Sequence, residues 1–136
     1  MVVTRRLTVQ TKGASDVLDI TADVQREVQA AGLSAGVATV FVQHTTAAVA
    51  IIEHERGLVQ DIRALWQQLV PEESPYKHNT SDDNGHAHLR AALQGPSLAV
   101  PFVEGKLALG TWQRIVLLDF DTRPRSREML VQVMGE

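Results

Sequence analysis

The chain contains no cysteine, which excludes disulfides, thiolate metal sites and cysteine nucleophiles. Any bound metal would have to be held by His, Asp or Glu. Aromatic residues make up only 4% of the sequence, so aliphatic side chains must fill the core. No run approaches the roughly eighteen apolar residues that a membrane-spanning helix needs. The opening stretch Met1-Val2-Val3-Thr4-Arg5-Arg6 also lacks the apolar segment of a signal peptide. The expectation is a cytoplasmic protein with no membrane partner. Surplus positive charge is missing too: 13 basic against 16 acidic residues leave a formal net charge of −3. A nucleic-acid partner would need a basic face to meet its phosphates, so none is expected. Neither a Walker A loop nor a dinucleotide fingerprint is present.

The 136 residues suit one domain, spanning residues 1–136. Alternation predicts strands over 2–11 and 17–20, with a turn at Lys12-Gly13. Thr21 can cap a helix over 22–31 that Gly32 stops. Two β-branched stretches, 36–42 and 45–52, flank His44. Residues 57–69 read as a helix with Leu58, Ile62, Leu65, Trp66 and Leu69 as one apolar stripe, ended by Pro71. Residues 71–85 form a long polar loop of the kind that usually carries function in a compact domain. A short helix over 86–93 follows, then strands over 98–103, 106–109, 112–121 and 128–133. Helices and strands do not alternate regularly. The fold class is therefore α+β, a mainly antiparallel, β-sandwich-like core with two main helices and a short third.

Histidines stand out next. His44 sits at a strand end before Thr45-Thr46, and His78, His86 and His88 crowd the end of the long loop. Imidazoles with the neighbouring carboxylates Asp82 and Asp83 match a ligand set for zinc or another divalent ion. A polar loop with incidental histidines is the alternative. Glu53, at the end of the second β-branched stretch, is a candidate base or else a solvated helix-entry glutamate. His54 beside it reads as surface. Gly110-Thr111-Trp112-Gln113 offers hydrogen bonds to a ligand through Thr111 and Gln113. Arg123, Arg125 and Arg127 can grip phosphate or form a solvated charge run.

Four blocks together carry a resemblance: His-Thr-Thr-Ala-Ala at 44–48, Gly-His-Ala-His-Leu at 85–89, Gly-Pro-Ser-Leu at 95–98 and Gly-Lys-Leu-Ala-Leu-Gly-Thr-Trp-Gln at 105–113. The sequence resembles the YjbQ family, also called the secondary thiamine-phosphate synthase family, over essentially its whole length. The resemblance implies a YjbQ-like fold assembled as a homotrimer. It also implies a site near the His-Thr-Thr segment and the later histidines. Carried over by position, it implies a divalent metal, zinc or magnesium, on His44, His78 and His88, with His86 as an optional further ligand. Glu53 and Asp83 would be catalytic. Thr45, Lys106, Thr111, Gln113 and Arg127 would bind a phosphorylated small-molecule substrate, with Lys106 and Arg127 on the phosphates. Many members have Asn before the Glu, where this chain has Ile52. The implied activity is that of a metal-dependent transferase, the thiamine-phosphate synthase that joins a pyrimidine diphosphate to a thiazole phosphate with release of pyrophosphate. A non-catalytic metal- or ligand-binding trimer is the second reading.

Overall fold

A computed structural model describes residues 1–136. Its strands are β1 (Val2–Thr11), β2 (Asp16–Asp19), β3 (Ala35–Val42), β4 (Ala47–Ile52), β5 (Ser97–Val103), β6 (Lys106–Leu107), β7 (Arg114–Asp119) and β8 (Arg125–Gly135). Its helices are α1 (Thr21–Ala30), α2 (Arg56–Leu69) and α3 (Gly85–Gln94), with a 3₁₀ turn at Lys77–Thr80 inside the long loop. Every strand pair is antiparallel, in two sheets ordered β1-β8-β3-β5-β6 and β2-β7-β4. The expected α+β class holds.

Strand periodicity explains the layering. Along β7, Ile115 and Leu117 face the five-stranded sheet, while Val116 and Leu118 face α2 and α3. The first core joins Ala38, Val40, Val100, Phe102, Val131 and Val133 of the large sheet to α1 through Val24 and Val28. The second packs α2 and α3 on the back of the small sheet around Trp66 and Phe120, whose rings meet edge to face at 5.1 Å. β7 is thus buried on both sides.

Several element limits differ from expectation. Thr21 is not a cap: it opens α1, and its hydroxyl accepts from the Ile115 N–H at 2.8 Å, pinning the helix to β7. The Asp19 carboxylate accepts the Thr21 N–H in its place, at 3.0 Å. On α2, Trp66 is buried, but Leu65 and Leu69 are exposed and Val59 takes the inner position. The 106–109 strand shrinks to Lys106–Leu107, and 112–121 to Arg114–Asp119, which leaves Trp112 exposed. α3 runs the full Gly85–Gln94. No helix is long and apolar enough to cross a membrane.

Candidate functional site

At the Asp119 end of β7 the two sheets do not close on carbon. β8 alternates inward Met129, Val131 and Val133, and the same periodicity turns Arg127 inward, so a guanidinium lies among core positions. Its partner comes from the other sheet. Arg127 Nε and Nη2 donate to the two oxygens of Asp119 at 2.7 and 2.8 Å, a bidentate pair in which both side chains are at most 2% exposed. The Thr11 hydroxyl and the Asp121 N–H donate to the same carboxylate. Arg127 Nη2 also donates to the Thr46 hydroxyl at 2.8 Å. Three strands and the Thr45-Thr46 bend are tied together in this way.

Asp121 sits beside this pair and is saturated. Its oxygens accept from Asn84 Nδ2, the Thr122 N–H, the Thr46 hydroxyl and Arg125 Nε. Burial by itself would raise its pKa. Those hydrogen bonds and the Arg125 charge outweigh burial and bring it down to about 2.

A cleft of about 380 Å³ opens above these groups, lined by His44, Thr45, Thr46, Asn84, His88, Asp121 and the 125–127 segment. The structure brings His44, His88, Thr45 and Arg127 together there. His44 has a structural task as well: its Nε2 accepts the Glu128 N–H at 2.9 Å and extends the β3–β8 ladder by one bond. Burial, aided by the nearby Arg127 charge, lowers its pKa. The neutral ring therefore carries its proton on Nδ1, as a donor. His88, the fourth residue of α3, lies 4.4 Å from His78, centroid to centroid. His78 Nε2 is 3.2 Å from Asn84 Oδ1. Asn84 Nδ2 donates to Asp121, so its oxygen accepts and His78 donates.

The expected divalent-metal triad is not assembled. His44 has no lone pair left to give, since Nε2 accepts a backbone hydrogen bond and Nδ1 carries the proton. His78 Nε2 is committed to Asn84, and no three His, Asp or Glu side chains stand close enough to share an ion. His86 does not face the cleft: it is 3% exposed, and its Nδ1 has no partner. Burial, with the charge of Arg90, lowers its pKa.

The other expected site residues lie elsewhere. Glu53 follows β4, whereas His44 precedes it, which separates them by roughly 20 Å at the rise of a strand. Glu53 and Thr111 line a different hollow with Trp112, Arg114 and Asp19. His54, exposed as expected, bonds the Val17 carbonyl there through Nε2. Lys106 is exposed on β6 beside α1. The Gln113 side-chain oxygen is spent on the Gly110 N–H at 2.8 Å and closes the 110–113 turn. Asp83, 60% exposed, pairs with Arg123 and accepts from the Thr122 hydroxyl, so it tethers the loop beside the cleft.

Three structural members of the site, Asn84, Asp119 and Asp121, carry no motif, and neither does Arg90, which lies behind it. Asp119 has one usable signal, a carboxylate inside the apolar run Ile115–Phe120. An ionisable residue at an inward strand position requires a buried partner. Arg90 is 1% exposed and holds α3 in place. It donates to the Val70 carbonyl, the Ser15 hydroxyl and the Gln67 amide oxygen, with its guanidinium 5.9 Å from the Phe120 ring centroid.

Fold and cleft together define a small α+β protein with a donor-rich polar site at the open end of its two sheets. The sequence matches the UPF0047 protein YjbQ-like family over residues 5–136, and the chain belongs to that family. It is 45% identical over 128 residues to a UPF0047 protein of Archaeoglobus fulgidus, covering 94% of this chain and 98% of that one. Among solved structures it is similar to a hypothetical protein of Aeropyrum pernix K1, with TM-score 0.92, 41% identity and 98% of each chain covered. It is likewise similar to an uncharacterized conserved protein of the YjbQ/UPF0047 family from Clostridium acetobutylicum, with TM-score 0.88, 35% identity and coverage of 96% of this chain and 99% of that one.

Proposed function

We propose that the cleft binds the anionic group of a phosphorylated small molecule and that His88 exchanges a proton with it. One observation carries this reading: the cleft has donors left over, while its one carboxylate is already taken. Both oxygens of Asp121 are taken. The backbone N–H groups of His44, Thr45 and Thr46 donate to no backbone acceptor, and Arg125 uses only Nε. His44 Nδ1–H adds one more donor. A group rich in lone pairs and negative charge answers that imbalance, as phosphate does for a guanidinium fork beside unpaired backbone amides.

In this reading Arg125 and the backbone amides of residues 44–46 take up the charge of a departing phosphate or pyrophosphate. His88 gives a proton to the leaving oxygen as its bond to carbon breaks and the incoming nucleophile, the thiazole nitrogen in the thiamine case, bonds to that carbon. His78 packs against His88, and its bond to Asn84 holds it there. Thiamine-phosphate synthesis, with its pyrophosphate leaving group, is one reaction of this class. Charge neutralisation falls to Arg125 rather than to a metal, because the histidines do not fit one.

Calorimetric titration with pyrophosphate tests the reading. Arg125→Ala is expected to weaken binding at least about tenfold. His88→Gln should leave affinity within a few-fold but lower turnover of the two thiamine precursors by about a hundredfold or more. A chelator should change neither. Arg125→Ala binding pyrophosphate as tightly as the parent would overturn the reading. Tight binding with no turnover of any phosphorylated substrate would favour the non-catalytic ligand-binding alternative.

We also propose a homotrimer. β7 cannot supply its contacts, since residues 115–120 are buried within the chain. The outer face of the large sheet can. Val37, Phe41 and Met134 are exposed at its centre, and Val37 lies opposite Met134 and Phe41 opposite Leu130. Light scattering should give about three times the 14.9 kDa chain mass, and Phe41→Lys should lower it. A parent that stays monomeric at micromolar concentration sinks this proposal.

A further inference from the structure

The polar cleft does not end at its histidines. A second hollow of about 350 Å³ shares His44, Thr45 and His88 with it as a common wall. Its remaining lining is Ala47, Ala91, Ala92 and Pro96. The two halves differ in chemistry. On one side of the shared wall stand Arg125, Arg127, Ser126 and Asn84, and on the other only small carbon side chains and a proline ring. The apolar half exists because the facing positions of β4 and α3 are alanines. Ala91 is buried against the second core, while Ala92 is exposed at the lip. A leucine at 92 would fill the space that the methyl leaves open.

We propose that the ligand is amphiphilic: a phosphate or phosphonate head in the polar half, joined by a short link to a single ring-sized apolar body over Ala91, Ala92 and Pro96. This rests on the anion-binding reading of the polar half and adds the other half of the molecule. Three points fix the ligand class. Beyond the shared wall the hollow is lined only by Ala47, Ala91, Ala92 and Pro96, so a sugar ring or second phosphate seated there would find no hydrogen-bond partner among their side chains. Its size suits one substituted ring, since a closed cavity of about 150 Å³ already holds benzene. The shared wall places the link between head and body beside His44 and His88, so the bond to the phosphate-bearing group lies where a proton can be exchanged. Ala92 then sets specificity by leaving the lip open.

Benzylphosphonate and methylphosphonate, neither of which can be hydrolysed at the phosphorus–carbon bond, separate head from body. On the parent protein, calorimetry is expected to show benzylphosphonate binding at least about tenfold tighter, the gain of burying a ring. Ala92→Leu, a change to a good helix former at an exposed helical position, should bring the two affinities within about twofold by weakening benzylphosphonate. A thermal melt of the variant checks that α3 is intact, and Ala92→Ser, which keeps the lip open, should retain the parent's preference. Equal affinities on the parent overturn the proposal, as does an undiminished preference in Ala92→Leu, and both leave the anion-binding reading standing. Failure of both phosphonates and of pyrophosphate to bind overturns the two together.

Discussion

Asp119→Ala is expected to lower the free energy of unfolding by about 3–5 kcal/mol, the cost of breaking a buried ion pair by removing one partner. The substitution leaves the Arg127 guanidinium 2% exposed, with the Thr46 hydroxyl and a distant Asp121 oxygen at 3.9 Å in place of its bidentate partner. The Asp121 N–H loses its acceptor as well, and the Thr11 hydroxyl keeps only the Arg125 carbonyl at 3.2 Å. For a domain of this size the midpoint of thermal unfolding should fall by roughly 10–20 °C. Asp119→Asn should cost less, since it keeps the shape and one acceptor. Replacing both partners, Asp119→Leu with Arg127→Met, should recover much of the loss, because two desolvated charges disappear together. Urea denaturation of the three variants decides. A loss below about 1 kcal/mol in Asp119→Ala would mean that Arg127 is not held between the sheets in this way.

This pair shows where reading the chain stops short. Arg127 was legible as a phosphate candidate in an arginine-rich connection. Its neutralisation was not legible, because Asp119 lies on the neighbouring strand of another sheet. The same holds for much of the fold. Apolar β3 and β7, the amphipathic α1 and the polar loop before α3 can be read from periodicity. The pairing of β1 with β8, which brings Val2 opposite Met134, cannot, since periodicity marks a face without naming its partner. In the cleft His44, Thr45, His88 and Arg127 converge; residue chemistry marked them as candidates, and the family resemblance chose His88 over His86. The histidines depart from a ligand triad through a detail no spacing encodes: the Glu128 N–H, where the β3–β8 ladder ends, donates to His44 Nε2. Gln113 is a similar case, because a side chain that closes its own turn looks in sequence like one free to bind. Glu53 and His44, nine residues apart, stand at opposite ends of one strand. Only knowing that Ala47–Ile52 runs extended between them puts that distance near 20 Å.

Acid is expected to weaken the protein in two separate windows. The first belongs to His44 and His86. Burial lowers the folded-state pKa of both, with Arg127 adding to the effect at His44 and Arg90 at His86. Below about pH 6.5 the unfolded chain takes up protons on these rings while the folded protein resists, so stability declines as pH falls from there towards the lowered folded values. The unpartnered Nδ1 of His86 fits this, since a proton placed there would be buried without an acceptor. The second window belongs to Asp121. Its folded pKa of about 2 lies below the ordinary 3.8, so its contribution is complete above about pH 4 and is lost as pH falls through 2. The difference is worth about 2 kcal/mol. Asp19 is lowered as well and adds in the same direction: burial would raise it, but the bonds to Arg114 and Thr21 prevail. Urea titrations at intervals between pH 7.5 and 2 should resolve both declines. The double variant His44→Ala/His86→Ala should flatten the first and leave the second, whereas Asp121→Asn should shrink the second alone. If the double variant loses stability between pH 6.5 and 5 as steeply as the parent, these two rings are not what the acid titrates.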